Sequence, residues 1–329
     1  MKKSILGLDL GGSNLFVVAF EENNNHIILE EKLDTNAKKG MEYVIQLISN
    51  QIIKFTEKLQ KEYEISAIGL AIPGIVDHTT GYVLQAPNLY WNHLSLLEKL
   101  AIPEEYKKKL VLINDVNAGL YGELSDFKKK PNIAVAYFCG TGIGGAIAFN
   151  GKIFSGNYGY AGEVGHMIIK INGRRCMCGR KGCLEAYIGK WTLNKKIQKA
   201  IKNSTKTILK KMIDYDLRKT PIKSTSLQKA YLKGDPFTRK LLEKYYSYYL
   251  AVGISQTVNL LDPELIILGG GIMESLGKYL IPYIHLYLKK ETFRTPKLVL
   301  SKKGDYAGVL GAALYAKDIL KNKKSRGKT

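Results

Sequence analysis

The sequence predicts an α/β protein of two domains built on related plans. Three observations carry this reading. Short apolar strands alternate with amphipathic helices, and a strand–glycine turn–strand unit occurs twice. The chain's 329 residues also exceed what one core needs at about 150 residues per domain. No low-complexity linker separates the halves, so a cleft is expected rather than beads on a string.

Ile5 to Leu10 reads as a first apolar strand. It enters Gly11-Gly12-Ser13-Asn14 and leaves as a second strand, Leu15 to Phe20, which makes a hairpin closed by glycines. From Met41 onward, Val44, Ile45, Ile48, Ile52, Phe55, Leu59 and Tyr63 recur at steps of three and four, the period of a helix with one buried face. Ile65 to Ile72 is a strand ending at Pro73-Gly74. Leu110 to Ile113 is another, with Asn114-Asp115 at its carboxyl end. The opening pattern then returns. Ile133 to Phe138 is a strand, Gly140-Thr141-Gly142-Ile143-Gly144-Gly145 a glycine turn, and Ala146 to Phe149 a strand. Farther on, Asp235-Pro236 caps a long helix running through Leu241, Leu242, Tyr245, Leu250 and Val258. Strand Glu264 to Leu268, Gly269-Gly270-Gly271, a helix, strand Lys297 to Leu300 and a last helix near Gly308 to Leu320 follow. The lysine-rich stretch 322–329 is expected to be a disordered tail.

A hydrophobic fraction of 45% and a charged fraction of 24% are those of a globular protein and exclude wholesale disorder. No apolar run approaches the roughly 18 residues of a membrane helix, and Asp9 interrupts the apolar start too early for a signal peptide. A cytoplasmic protein without a membrane partner is expected. The net charge of +21 could mean a polyanionic partner, but 43 lysines against 7 arginines, with no helix-turn-helix or stacking motif, read as solvated surface. No nucleic-acid partner is expected.

Glycine turns let backbone amides crowd an anion. Here both turns lie between strands, which argues against a P-loop or a dinucleotide fingerprint. Each could be a plain tight turn. Asp9 before the first, and a hydroxyl in both (Ser13, Thr141), favour ATP phosphates with magnesium. Asp115 at a strand's carboxyl end is placed either to take a proton from a substrate hydroxyl or to cap the helix that follows. Cys176-Met177-Cys178, Cys183 and the preceding His166 offer three thiolates and one imidazole, a set for tetrahedral zinc. Four protein ligands leave no open position, so such an ion is structural. Glu163 and Glu185 flank this loop, and each is either a sugar ligand or a solvated charge. Cys139 reads as a small buried hydrophobe.

These motifs together resemble the ROK family (repressors, uncharacterised open reading frames and sugar kinases), and within it the bacterial glucokinases. Asp9-Leu10-Gly11-Gly12-Ser13-Asn14 is similar to the family's first phosphate motif, and Gly140-Thr141-Gly142-Ile143-Gly144-Gly145 to its second. The run from Gly162-Glu163-Val164-Gly165-His166 through Cys176-Met177-Cys178-Gly179-Arg180-Lys181-Gly182-Cys183-Leu184-Glu185 resembles the family signature. Leu261-Asp262-Pro263-Glu264 with Gly269-Gly270-Gly271 resembles its adenosine-side motif. The resemblance spans about residues 4–320. Ser13 stands where threonine is commoner, and Tyr187-Ile188-Gly189-Lys190 lacks an expected serine.

The resemblance implies an actin-like, hexokinase-type ATPase fold with two lobes around a cleft. A small lobe would hold 1–116 and about 305–321, and a large one 117–304 with the zinc-binding loop. It implies ATP-dependent phosphorylation of a hexose at the 6-hydroxyl, with Asp115 as base. Gly74, Asn88, Asn114, Glu163, His166 and Glu185 would lie around the sugar. Asp9, Gly11, Gly12, Ser13, Asn14, Gly140, Thr141, Gly142, Gly269, Gly270 and Gly271 would serve ATP and magnesium, and His166, Cys176, Cys178 and Cys183 the zinc. Glucose is the first substrate choice, with N-acetylmannosamine, fructose, allose and N-acetylglucosamine as alternatives, and a homodimer is implied. A sugar-responsive repressor is the remaining alternative. Family repressors carry a DNA-binding domain before the first phosphate motif, and only eight residues precede Asp9 here.

Overall fold

The computed structural model describes residues 1–77, 80–213 and 215–326. Its strands are β1 (Lys2–Leu10), β2 (Asn14–Glu21), β3 (Ile27–Asp34), β4 (Tyr63–Ile72), β5 (Ile75–Asp77), β6 (Tyr82–Ala86), β7 (Trp91–Ser95), β8 (Leu110–Asn114), β9 (Ile133–Cys139), β10 (Ile143–Phe149), β11 (Lys152–Ile153), β12 (Leu265–Gly269) and β13 (Lys297–Leu300). The longer helices are α1 (Met41–Leu59), α2 (Asp115–Leu124), α3 (Lys190–Lys202), α4 (Ser224–Leu232), α5 (Ser247–Leu261), α6 (Gly271–Glu291) and α7 (Tyr306–Arg326).

The chain divides into two compact units. The first comprises Met1–Lys130, Ser155–Tyr160 and the chain from Asp305 onward. Its main sheet has the order β3-β2-β1-β4-β8, with β1, β4 and β8 parallel and the β1–β2–β3 meander antiparallel. Side chains alternate along a strand, so β1 serves two cores at once. Leu6, Leu8 and Leu10 meet Val44, Ile48, Ile52 and Phe55 of α1, while Ile5 joins Val309, Leu310 and Ala313 of α7 on the other face. Small residues let α7 lie directly on its neighbours. A Cβ on Gly69 would fall 1.9 Å from the Ala312 carbonyl oxygen, and one on Gly311 would fall 1.8 Å from that of Ala118 in α2. This packing joins α2 to the first unit, so the division falls after Lys130 and not after residue 116. Residues 155–160 also belong here, with Gly159 against Ile75. A small antiparallel sheet, β5-β6-β7, buries Val83, Leu94 and Trp91.

The second unit, Pro131–Phe154 with Ala161–Gly304, repeats the plan. Its order β11-β10-β9-β12-β13 has the same antiparallel meander and the same two parallel strands beside the first. The core fills with Val135 and Tyr137 of β9, Ile266 and Leu268 of β12, and Leu250, Ile254, Ile272, Leu276 and Leu280 from α5 and α6. Asp235 caps the helical run as expected, accepting from the Thr238 amide at 2.9 Å, and the run passes through a π-helical stretch, Lys240–Tyr246, before α5.

Three expectations need correction. Tyr63 opens β4 instead of closing α1, because the turn at 60–62 ends the helix, with the Glu62 amide on the Leu59 carbonyl. α7 starts at Tyr306. It also runs through 322–326, where a disordered tail was expected: lysine is a good helix former, and no glycine or proline intervenes before Gly327. The remaining tail residues, 327–329, lie outside the described residues.

Candidate functional site

In the first unit the three parallel strands end on one edge, and the site residues there follow from that. β1 delivers Asp9 and then the turn Gly11-Gly12-Ser13. Its Gly11 amide donates to the Asn14 carbonyl at 2.7 Å, and Thr35 holds the turn from outside through the Gly11 and Ser13 carbonyls. β4 delivers Gly74, whose φ of 139° and contact with the Gln85 backbone exclude a side chain. β8 delivers Asn114 and Asp115. Asn114, not Asp115, is the cap of α2. Its side-chain oxygen accepts from the Asn117 amide at 3.0 Å, while its amide nitrogen donates to the Gly74 carbonyl at 2.9 Å and to Asp115 Oδ1 at 3.0 Å. Asp115 is thereby held as the first residue of the helix, its Oδ1 also accepting from the Val116 amide. Asn88 lies beside Gly12 with its side chain exposed.

Asp9 feels this company. Its carboxyl is pushed up to about 7, first by burial, then by the negative charges of Asp115 and Asp305, against the opposing charge of Lys32. Lys32 pairs with Asp305 at 2.7 Å, and the Asp9 carboxylate lies against Gly308 in the first turn of α7. Asp305, Lys32 and Gly308 escaped the sequence reading, because nothing local ties them to Asp9.

In the second unit, the turn Gly140-Thr141-Gly142 closes on the Gly140 amide and Gly142 carbonyl at 2.9 Å. Gly270, with φ of 81°, packs directly on the Cys139 backbone, so the glycines at the start of α6 sit against this turn. Cys139 is fully buried, and burial pushes its thiol up to about 11. The ligand atoms of His166, Cys176, Cys178 and Cys183 lie within 4.8 Å of one another. Cys176 Sγ is 3.8 Å from His166 Nδ1, and Cys178 Sγ is 3.7 Å from Cys183 Sγ. A tetrahedral zinc with Zn–S bonds of about 2.3 Å has ligand–ligand edges of about 3.7–3.8 Å, so these residues fit the ion. Burial raises the Cys176 thiol to about 12. Cys178 is lowered to about 6 in spite of its own burial, chiefly by the hydrogen bond from Arg180, which the sequence reading also missed.

Glu185 ties the two features together. Its Oε2 accepts from the Ile143 amide, just past the glycine turn, at 3.0 Å, and its Oε1 lies 3.7 Å from Cys176 Sγ. Glu163 is exposed at the head of the short turn Val164–His166. The predicted residues thus fall into two sets. Asp9 through Asn14, Gly74, Asn88, Asn114 and Asp115 lie in the first unit. Gly140–Gly142, Glu163, His166, the cysteines, Glu185 and Gly269–Gly271 lie in the second. No helix among the described residues is long and apolar enough to cross a membrane.

Known proteins fit this arrangement. A glucokinase from Thermotoga maritima is 30% identical over 96% of this chain and 98% of its own length. A xylose repressor from Caldicellulosiruptor bescii is 27% identical over 96% of this chain and 79% of its own. A ROK family glucokinase from Streptomyces griseus, solved with glucose and AMPPNP, superposes with a TM-score of 0.78 at 24% identity, covering 96% of this chain and 99% of that one. The fold is the actin-like, hexokinase-type ATPase fold with its mixed α/β sheets. The model of the ROK family matches residues 5–319, and the chain belongs to that family.

Proposed function

We propose that the protein is an ATP-dependent sugar kinase that phosphorylates glucose at its 6-hydroxyl. The observation that carries this reading is the pair Asp9 and Asp115 on one strand edge, close enough for the charge of one to raise the other. The glucokinase likeness across nearly the whole chain supports it.

Asp115 takes the hydroxyl proton as the sugar oxygen bonds to the terminal phosphorus of ATP and the bond to the ADP oxygen breaks. Asn114 fixes the Asp115 carboxylate through its amide. Asn88, Asn114, Glu163, His166 and Glu185 hold ring hydroxyls, with Gly74 beside them. The glycine turns would take phosphate oxygens, and Asp9 would hold magnesium, which when bound would neutralise phosphate charge. His166, Cys176, Cys178 and Cys183 would hold a structural zinc, which when bound would supply rigidity rather than an activated water. With Nδ1 on the thiolate side, His166 keeps Nε2 for a sugar hydroxyl. Binding and positioning supply most of the rate, and exclusion of water protects ATP from hydrolysis.

The test is ADP release with ATP and magnesium over glucose, fructose, allose, N-acetylmannosamine and N-acetylglucosamine. Turnover fastest on glucose is expected. A faster alternative sugar corrects the substrate, and silence on every hexose removes the kinase. A second reading, a sugar-responsive DNA-binding regulator, draws on the xylose repressor likeness and the charge of +21.

A further inference from the structure

Three elements of the second unit meet at one spot. α3 begins with Lys190, whose amide donates to the Thr141 carbonyl of the glycine turn at 3.2 Å. α6 begins at Gly271, after a glycine seated on the Cys139 backbone. α4 begins with Ser224. A Cβ added to Gly271 would lie 2.9 Å from Ser224 Oγ and 3.5 Å from Lys190 Nζ, so hydroxyl and ammonium flank the same helix start.

The chemistry of this spot is that of an anion site. Ser224 Oγ is buried and has no hydrogen-bond partner among the described residues, an arrangement that costs stability unless a ligand completes it. Lys190 is half-buried. Burial lowers its pKa and Glu274 opposes that. Lysine has donors only and needs an acceptor. The first amides of the 21-residue α6 have no intrahelical partner, while that of Glu274 already donates to the Gly270 carbonyl. Ammonium, hydroxyl and helix amides are all donors, and the Glu274 carboxylate opposes an anion there.

We infer that Lys190 and Ser224, with the first turn of α6, form a subsite for a phosphate group of the adenine nucleotide. The subsite goes beyond the glycine motifs by adding a cation and a hydroxyl from two other helices. It rests on the kinase reading for the identity of the anion as a nucleotide. Lys190 here binds and does not react.

Calorimetric titration of the full chain with ADP, adenosine and inorganic phosphate tests it. Lys190→Met is expected to weaken ADP by about 10–100-fold, the range of a lost charge-assisted hydrogen bond, and to leave adenosine within about twofold. Ser224→Ala, a small change at a helix start, is expected to weaken ADP by about 3–10-fold. Lys190→Arg, which keeps the charge, is expected to recover most of the ADP affinity. The inference is overturned if both Lys190→Met and Ser224→Ala bind ADP like the wild type, or if adenosine is lost in step with ADP. It is also overturned if Lys190 governs inorganic phosphate but not ADP. If the wild type binds no adenine nucleotide, the kinase reading falls and takes this subsite with it. If ADP binds normally to the variants, only the subsite falls.

Discussion

Asp115 and Asp9 stand close together and answer to different demands. The Asp115 carboxylate is anchored by Asn114 Nδ2 and the Val116 amide, so Asp115→Asn keeps size and loses only basicity. Turnover is expected to fall by about 10²–10⁴-fold with sugar affinity within a few-fold, read by kcat and by calorimetric sugar titration. Near-normal turnover would mean that another group takes the proton. For Asp9, the folded carboxyl titrates at about 7 against an ordinary 3.8, so the folded state holds the proton more tightly than the unfolded one. Its contribution to stability is therefore full below about pH 4 and is lost as pH rises towards 7. Asp9→Asn cannot lose it. In magnesium-free buffer the denaturation midpoint of the wild type should fall relative to Asp9→Asn between pH 4 and 7 and run parallel above 8. Parallel curves throughout would show that neither burial nor the neighbouring carboxylates raise Asp9. Asp9 and Asp115 were both legible in the sequence, because a carboxylate beside a glycine turn or at a strand's end is a local pattern. Asp305 was not, since it reaches Asp9 only through the folding of α7 onto the sheet.

Among the elements, a buried periodic face helped without sufficing, since α3 buries Leu193, Ile197 and Ala200 at helical spacing and was missed. α1 announced itself by its apolar stripe, whereas β3 is solvated along most of its length and carries no core pattern. β5, β6 and β7 are short, and their order depends on turns that composition does not specify. The loop between His166 and Cys183 was read from ligand types alone, and its backbone explains why the set converges. The Cys176 amide donates to Arg180, the Gly182 amide to Arg174, and Ile168 pairs with Cys183. These bonds preform much of the loop, so metal loss is expected to act locally. Elemental analysis should give about one zinc per wild-type chain and under about 0.1 for Cys178→Ser or Cys183→Ser, since both remove a ligand from a tetrahedral set. Far-UV circular dichroism should stay near wild type while Tm falls. Because Glu185 joins Cys176 to the Ile143 amide, the same variants should also weaken nucleotide binding. Full zinc content in both variants would remove the assignment.

On the scale of the whole molecule, the repeated glycine hairpin pointed to two domains of related plan, and the strand order that both units share came only with the fold. The division after Lys130 was hidden, since it depends on α2 touching α7 almost two hundred residues later. The charge of +21 is the remaining global property, and its meaning turns on distribution. Several lysines are already engaged by their own surface: Lys32 with Asp305, Lys54 with Glu31, Lys317 on the Glu22 carbonyl and Lys196 over the Tyr245 ring. A spread ammonium surface attracts any polyanion weakly and reads no sequence, because counterion release supplies the affinity and lysine lacks the bidentate fork. Duplex DNA of arbitrary sequence is therefore expected to bind weakly at low salt and to release steeply towards about 0.2 M salt. Glucose or xylose should not alter that binding. A gel shift that survives physiological salt, prefers one sequence and responds to sugar would overturn this view and favour the regulator over the kinase.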